Sequence, residues 1–164
     1  MKYRTFLLLG TNLGDRKKNL TLARDSIARN VGPIIKTSSI YRTAAWGIAD
    51  QPEFLNQAVE VETELTAINV LTEILGAEKI MGRMRRAKWS ERVIDIDILF
   101  YGNSIVNSPE LTVPHPQLPY RRFALVPLNE IAPDFVHPLL NLTVAELLSR
   151  CSDLLEVSAW TELQ

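Results

Sequence analysis

The sequence predicts an α+β fold, an α/β sandwich with helices on one face of a largely antiparallel sheet. Two observations lead to this class. Segments of strand character alternate with segments of helical periodicity in the order β-α-β-β-α-β, the order of a ferredoxin-like core, and a hairpin and a C-terminal helix follow. The 164 residues contain no repeat, low-complexity stretch or linker, so one domain over residues 1–164 is expected.

Five elements are predicted in the first part of the chain. They are a strand over 3–9, a helix that Asp15 caps and that runs to about Asn30, a strand over 34–42, a strand over 54–65 and a helix from Thr66 to about Met81. The buried stripe predicted for the first helix is Leu20, Ala23, Ile27 and Val31. One face of the 54–65 strand is predicted to be wet, because valines alternate there with Glu60, Glu62 and Glu64.

In the second predicted helix, the buried stripe is expected to be Ile68, Leu71 and Leu75. Glu78 falls on the same face, seven residues after Leu71. A carboxylate on a core-facing position needs a partner, and the C-terminal end of the helix dipole does not favour it. Glu78 is therefore expected to pair with an arginine or to face a site, and Gly82 is expected to end the helix.

The strongest chemical signal is the apolar and β-branched run over residues 92–101, which is typical of a strand that ends before Gly102. One face of this strand is predicted to carry Ile94, Ile96, Ile98 and Phe100. The other face carries Asp95 and Asp97, whose backbones would lie about 6.5–7 Å apart. Two such carboxylates need a positive partner. A hard cation such as Mg²⁺ takes carboxylate oxygens and shares phosphates of a substrate.

A basic segment immediately precedes this strand. Five of the ten residues over 83–92 are Arg or Lys, out of 18 in the whole chain. An acidic pair beside a basic loop is the charge layout of a site for a metal-bound polyphosphate. The alternative stays open at this point, because the aspartates would also suit the wet side of a half-exposed sheet and most basic loops are solvated surface.

The last third of the chain predicts mostly loops. Residues 102–103 indicate a tight hairpin into residues 105–106. His115 lies between two prolines, and this rigid setting suits a ligand contact, although a lone histidine in a loop is more often only exposed. A capping box at Thr143 opens a final helix to about Cys151, and the tail after it is expected to be irregular.

Composition limits the classes of partner. The net charge of −1 gives no global field for nucleic acid or a membrane surface, so a site for a polyanion would be local. Cys151 is the single cysteine, which fits a reducing compartment. The apolar run over 6–9 is too short for a secretory signal, and no run approaches the length of a membrane span. The protein is expected in the cytoplasm.

Several motifs together resemble one family. Residues 88–99, Lys-Trp-Ser-Glu-Arg-Val-Ile-Asp-Ile-Asp-Ile-Leu, are similar to the signature of the 6-hydroxymethyl-7,8-dihydropterin pyrophosphokinases of folate biosynthesis. Further similar segments lie at 10–14, 39–43, 50–56, 111–115, 121–123 and 127–133. Each segment is weak evidence alone, but their order and spacing make the resemblance specific.

The resemblance implies a single pyrophosphokinase domain that uses ATP as co-substrate. Such an enzyme transfers the β,γ-diphosphate of ATP to the hydroxymethyl group of the pterin and releases AMP. By the same resemblance, Asp95 and Asp97 hold two Mg²⁺ ions, and Arg83 and Arg92 contact the phosphates as further catalytic residues. ATP and the pterin would be the small-molecule substrates of a monomer that binds neither nucleic acid nor a membrane.

The resemblance also implies the residues that bind each substrate. The implied ATP-binding residues are Glu78, Arg85, Trp89, Ile98, Thr112, His115 and Arg121. The implied pterin-binding residues are Thr43, Ala44, Trp46, Phe54, Asn56 and Phe123. Four positions depart from the family pattern and bear on ATP affinity and loop motion, namely Leu75, Ser90, Glu110 and Pro116.

Two other classes of function match parts of the sequence. A ferredoxin-like module that only senses a nucleotide would need no paired metal acids, so Asp95 and Asp97 argue against it. An RNA-binding sheet would be expected to carry basic residues interleaved with aromatic ones, and neither the net charge nor the strands show that pattern.

Overall fold

The computed structural model describes residues 1–44, 52–85 and 93–162, with residues 83–85 described by their backbone. This part of the chain has a mixed α/β fold with a mainly antiparallel sheet. Its strands are β1 (Tyr3–Thr11), β2 (Ile34–Thr37), β3 (Tyr41–Thr43), β4 (Phe54–Thr63), β5 (Asp95–Tyr101), β6 (Val106–Asn107), β7 (Thr112–Val113) and β8 (Val157–Ala159). Its helices are α1 (Arg16–Asn30), α2 (Ala67–Arg85), α3 (Arg122–Ile131) and α4 (Val144–Arg150), with a 3-10 turn over Leu118–Tyr120.

The main sheet is built around β1. Within the described residues five strands follow the order β5-β1-β4-β3-β8, and β2 pairs with a second part of β4. The β1–β4 pairing is antiparallel and runs from Tyr3 opposite Thr63 to Thr11 opposite Leu55. The pairings of β5 with β1 and of β3 with β4 and β8 are antiparallel as well. The mainly antiparallel sheet expected from the sequence is therefore confirmed.

Two separate cores lie on opposite faces of this sheet. Leu7 and Leu9 of β1 belong to the first core, which α1 and α2 complete. Phe6 and Leu8 alternate with them and belong to the second core, which α3 and α4 complete. The expectation that the helices cover one face is wrong, because β1 is apolar at every position from 6 to 9 and both of its faces have to be covered.

A β-bulge in β5 changes the predicted faces of that strand. Leu7 pairs with Ile98, whereas Phe6 pairs with Phe100. Between these two pairs β5 therefore has one extra residue, Leu99, which has no partner residue on β1. Phe100 is consequently moved to the second core, and Tyr101 joins the first core. The predicted face of Ile94, Ile96, Ile98 and Phe100 is therefore wrong for Phe100 alone.

Helix α2 buries a different stripe from the predicted one, of which only Leu71 packs, partly buried, against the first core. Ile68 and Leu75 are 42% and 53% exposed, respectively. The residues that face the first core are Ala67, Val70, Ile74, Ala77 and Met81. Both stripes are apolar at helical spacing, and the alanines of the buried one let the helix lie close to the sheet. The helix also continues past Gly82 and includes Arg85, since one glycine costs a helix only about 1 kcal/mol.

The wet face predicted for β4 is covered at Glu60. Its side chain is buried and accepts a hydrogen bond from the Arg4 guanidinium at 3.2 Å. Glu62 is half-buried and Glu64 is exposed, so the prediction fails where the second core covers the strand and holds beyond it. A buried carboxylate needs such a partner because desolvation penalises an unpaired charge.

Helix α3 was not predicted from the sequence, and it contains Pro127. Proline lacks an N–H donor and normally interrupts a helix. Here the helix buries Ala124, Leu125 and Leu128 against the second face of the sheet. This burial outweighs the hydrogen bond that Pro127 cannot donate.

The structure also corrects three expected connections. The 34–42 run forms two strands rather than one, because the buried Ser38 interrupts it and its hydroxyl accepts the Ala58 N–H at 2.9 Å. Gly102 turns the chain with φ of +52°, but β6 then pairs with β7 rather than with β5. The tail that was expected to be irregular contributes β8, which pairs with β3.

Other local expectations are confirmed. The Asp15 side chain accepts the Lys18 N–H and caps α1, and Leu20, Ala23 and Ile27 are buried. The Thr143 hydroxyl accepts the Glu146 N–H while the Glu146 carboxylate accepts the Thr143 N–H, which is the predicted capping box of α4. No helix in the described part of the chain is both long enough and apolar enough to cross a membrane.

Two glycines predict opposite effects on stability. A Cβ on Gly32 would lie 2.2 Å from the Glu62 carbonyl oxygen, so Gly32→Ala should lower the free energy of unfolding by about 1–3 kcal/mol. Gly76 lies inside α2 with nothing within 4 Å of its Cβ position, so Gly76→Ala should raise it by about 1 kcal/mol. Urea denaturation of the two variants measures both values, and equal midpoints would contradict the close approach at Gly32.

Candidate active site

A cavity of about 580 Å³ opens on the second face of the sheet, beyond the end of the second core. It lies where β1 ends and where β4 and β5 begin. Gly10 of β1 pairs with Asn56 on one side and with Asp95 on the other, so the three strands bring these positions together. The residues that line the cavity are Leu8, Gly10, Thr43, Ala44, Phe54, Asn56, Asp95, Asp97, Gln117, Tyr120, Arg121, Phe123, Ser152, Asp153 and Leu155.

The two aspartates share one side of this cavity. Asp95 and Asp97 both line it and are half-buried. Both lie on β5, where Asp95 pairs with Gly10 of β1 and Asp97 pairs with Leu8. Their shared face was predicted from strand alternation, and the bulge at Leu99 does not disturb it because it comes after Asp97. In the described residues no three Asp, Glu, His or Cys side chains form a metal-binding group. A carboxylate pair fits a hard cation whose remaining ligands are water and phosphate oxygens.

An amide and a hydroxyl meet at the opposite wall. Asn56 is 3% exposed, and its Nδ2 donates to the Thr43 hydroxyl at 3.2 Å. A Cβ on Gly10 would lie 2.8 Å from Asn56 Oδ1, so only glycine leaves room for the amide in this position. The arrangement fixes a polar group that can recognise the edge of a flat heterocycle.

Aromatic rings complete this end of the cavity. Phe54 is the first residue of β4, and Phe123 lies in the first turn of α3. The Arg121 guanidinium lies 5.6 Å from the centroid of the Phe123 ring, a cation–π distance. Ala44 follows Thr43 and adds a small apolar contact. Rings of this kind bind the faces of a planar ligand.

His115 lies beside the acidic wall. Its backbone N–H donates to the Leu99 carbonyl at 3.0 Å, and its Nδ1 accepts the Gln117 N–H at 3.1 Å. Burial lowers the pKa of His115; the Asp97 charge opposes this shift and the Arg121 charge adds to it. The neutral imidazole therefore carries its proton on Nε2, which is available as a donor.

Two predicted ATP-binding residues lie along the outer edge of β5. Glu78 of α2 accepts the Ile96 N–H through Oε2 at 2.9 Å, so this core-facing carboxylate has a backbone partner. Ile98 buries its side chain in the first core, away from the cavity. Ile98 lies two residues after Ile96, so its backbone N–H points outward from the sheet edge as well. Thr112 is exposed on β7, which packs beside β5.

Glu130 connects α3 to the strand that leads to Thr43. Its carboxylate accepts the Ser39 N–H at 2.9 Å, the Ser39 hydroxyl at 3.3 Å and the Tyr41 hydroxyl at 2.5 Å. Burial and this carboxylate raise the pKa of Tyr41 to about 12. The phenol therefore stays protonated and keeps the hydrogen bond at physiological pH.

Some predicted site residues cannot be placed. Trp46, Trp89 and Arg92 lie outside the described residues, and for Arg83 and Arg85 the structure gives only the backbone, in the last turn of α2. The structure also adds residues that the sequence did not indicate, namely Gln117, Tyr120, Ser152, Asp153 and Leu155. The last three lie in the tail, where no motif or periodicity pointed to a site.

A family model described as 7,8-dihydro-6-hydroxymethylpterin-pyrophosphokinase matches residues 6–133. The chain belongs to this family. One relative is the 2-amino-4-hydroxy-6-hydroxymethyldihydropteridine pyrophosphokinase of Methylorubrum extorquens. It is 44% identical over 134 residues, which are 81% of this chain and 85% of the relative. The protein of the same name from Haemophilus influenzae is 37% identical over 149 residues, which are 90% of this chain and 92% of the relative.

Solved structures share the fold of this pyrophosphokinase. Wild-type HPPK-DHPS of Plasmodium falciparum with SDX-DHP superposes with a TM-score of 0.71 at 20% identity and covers 90% of this chain. The match spans 43% of the length of that longer chain. The family assignment confirms the resemblance found in the sequence and makes the chain a transferase of folate biosynthesis. It favours neither the nucleotide sensor nor the RNA-binding sheet.

The contact between Gly10 and Asn56 predicts a selective loss of pterin binding by this pyrophosphokinase. In Gly10→Ala the new methyl would displace the Asn56 amide, which is a movable side chain, so the fold should survive. The dissociation constant for 6-hydroxymethyl-7,8-dihydropterin should rise by at least about tenfold, or about 1.4 kcal/mol. Calorimetric titration measures it, with Gly76→Ala as the control. Unchanged affinity in a folded Gly10→Ala variant would show that the amide does not hold the pterin.

Proposed function

We propose that the cavity is where this enzyme transfers the β,γ-diphosphate of ATP to the hydroxymethyl group of 6-hydroxymethyl-7,8-dihydropterin, giving AMP and the pterin diphosphate. One observation carries the proposal. A pair of carboxylates, Asp95 and Asp97, shares a single cavity with the amide of Asn56 and the ring of Phe123. The first pair suits a cation with a polyphosphate and the second suits a flat heterocycle, so both substrates of the family reaction can meet there.

The pterin end is formed by β3, β4 and the start of α3. Phe54 and Phe123 offer faces to the ring, and Asn56 and Thr43 offer hydrogen bonds to its edges. Ala44 completes this wall, and Trp46 is proposed beside it from the resemblance. The pterin would lie with its hydroxymethyl group toward the aspartates, because the polar edge of the ring has to reach Asn56.

The acidic wall is the proposed metal site. Asp95 and Asp97 would hold two Mg²⁺ ions, and the half-buried carboxylates on one strand face fit oxygen-seeking cations. When bound, such ions neutralise phosphate charge and lower the pKa of a coordinated hydroxyl. The role of the two side chains is to place this positive charge between the pterin and ATP.

The ATP end lies between the acidic wall and the outer edge of β5. Arg121 lines the cavity with its guanidinium beside the Phe123 ring, and the Nε2–H of His115 is a donor near Asp97. Both groups suit phosphate oxygens. The outward backbone of Ile98 can bond an adenine edge, with Glu78 and Thr112 beside it. Arg83, Arg85, Trp89 and Arg92 are proposed from the resemblance as the basic residues that contact the phosphates and close over them.

This arrangement requires little covalent chemistry from the protein itself. Transfer of a phosphoryl-type group depends mainly on aligning the attacking oxygen with the leaving group and on stabilising charge. The described cavity residues include no evident general base for the hydroxymethyl group. The chain would contribute by holding the pterin between fixed groups, by orienting ATP through Arg121 and His115, and by excluding water.

Other expectations stay with this proposal. The strand order of β1 to β5, with β1 between β5 and β4, supports a ferredoxin-like core. We also propose that residues 1–164 act as one pyrophosphokinase domain, as a monomer in the cytoplasm, and without nucleic acid or membrane partners. The single Cys151 supports the cytoplasm, and the net charge of −1 supports the absence of nucleic acid and membrane partners.

A nucleotide assay tests the proposed reaction directly. The purified protein with ATP, Mg²⁺ and the dihydropterin should form AMP, and it should form none when the pterin is omitted. ADP as the product would contradict diphosphate transfer.

The carboxylate Asp97 provides the matching variant. Asp97→Asn keeps the shape but removes the charge, so AMP formation should fall by at least about 100-fold while pterin affinity changes little. The control is Asp134→Asn, an exposed aspartate far along the chain from the cavity residues of β5. Turnover of Asp97→Asn close to that of the control would remove Asp97 from the metal role.

A further inference from the structure

The C-terminal segment carries an aspartate that bonds to the start of α3. Asp153 Oδ2 accepts the backbone N–H of Arg122 at 3.1 Å, and its Oδ1 accepts the N–H of Leu155 at 3.0 Å. Asp153 is half-buried and lines the cavity. Both carboxylate oxygens therefore already accept hydrogen bonds from the protein itself.

Helix α3 has no cap of its own at this end. Arg121 occupies the N-cap position and its side chain makes no capping hydrogen bond. The first N–H groups of a helix lack partners within the helix, and a carboxylate there also interacts favourably with the helix dipole. Asp153 supplies the missing acceptor from 31 residues away along the chain.

The capped turn carries two groups of the proposed site. Arg121 precedes Arg122 and Phe123 follows it, and both line the cavity. Their positions depend on the backbone of the turn that Asp153 holds. Glu130 ties down the other end of the same helix through Ser39 and Tyr41.

The same segment forms part of the cavity wall. Ser152 and Leu155 flank Asp153 in the lining, and β8 follows with Val157 opposite Thr43 of β3. The wall is thus anchored at one end to α3 and at the other to the strand of the pterin end. The segment lies beyond residues 6–133, the part of the chain that the family model matches.

We propose that Asp153 is a positioning residue for the pterin end of the site. By capping α3 it holds the backbone that presents Phe123 and Arg121, and by bonding to Leu155 it holds the C-terminal wall against the same cavity. This inference rests on the proposed function, in which Phe123 contacts the pterin.

The first arm of the test removes the acceptor. Asp153→Ala should raise the dissociation constant of 6-hydroxymethyl-7,8-dihydropterin, and its KM, by about tenfold, the scale of a lost cap. The value of kcat with pterin and ATP both saturating should change by less than about threefold, since the lost cap positions groups that bind the substrates in ground state and transition state alike. Asp153→Asn keeps one acceptor oxygen and should restore most of the affinity.

Two controls separate positioning from general stability. Glu156→Ala removes an exposed carboxylate three residues further along the same segment, and it should leave the pterin dissociation constant unchanged. Thr143→Ala removes the cap of α4, whose residues do not line the cavity, and it should lower the melting temperature without changing pterin affinity. A loss of affinity in Thr143→Ala as large as that in Asp153→Ala would overturn the proposal.

The second arm removes the donor instead. Proline is well tolerated at the first position of a helix, and the residue before it prefers the extended backbone that Arg121 already has, with φ −121° and ψ 100°. Arg122→Pro deletes the N–H that Asp153 accepts, whereas Arg122→Ala deletes only the side chain. The ratio of their pterin dissociation constants should be about ten.

The two arms decide the proposal together with the wild-type assay. A ratio near one between Arg122→Pro and Arg122→Ala overturns it, and this comparison decides alone if Asp153→Ala does not fold. If the wild type forms AMP but these variants bind pterin normally, the positioning role fails and the proposed function stands. If the wild type forms no AMP while the pterin affinities change as expected, the proposed reaction fails and Asp153 remains a residue that shapes the pterin site.

Discussion

The two-residue period of side chains along β1, a strand buried on both faces, is the constraint on which the rest of the structure depends. Leu7 and Leu9 point to one core, and Phe6 and Leu8 point to the other. Each face needs its own cover, and α1 with α2 and α3 with α4 supply it. At Gly10 the apolar run ends, so the second face continues as a cavity rather than as core.

The site follows from this change at the end of β1. Because Gly10 has no side chain, Asn56 of β4 can extend across it, and Asp95 of β5 lies on its other side. Polar groups of two neighbouring strands thus come together at a position where the central strand contributes only backbone. The cavity is bounded on its remaining sides by the start of α3 and by the C-terminal segment, which is why residues far apart in sequence share it.

Sequence periodicity predicted the parts of this arrangement that depend on neighbours along the chain. The shared face of Asp95 and Asp97 follows from strand alternation, and it survived because the bulge at Leu99 comes after both. Phe100 was placed on the wrong face by the same rule, since a bulge depends on pairing with β1 and has no signature within β5. The stripe of α2 was misassigned because both sides of the helix are apolar, and only packing selects the side with Val70 and Ile74.

Contacts between distant segments account for what the sequence could not indicate. The sequence pattern of neighbouring residues indicates the capping box of Thr143, because acceptor and donor lie three residues apart. The same pattern indicates no cap for α3. Pro127 argues against a helix there, and the acceptor Asp153 lies in a tail without periodicity. Once the fold is known, the hydrogen bonds of Asp153 explain both how α3 begins where it does and how the tail comes to line the cavity. The short helix and the C-terminal segment therefore order each other, and the position of Phe123 depends on that mutual support.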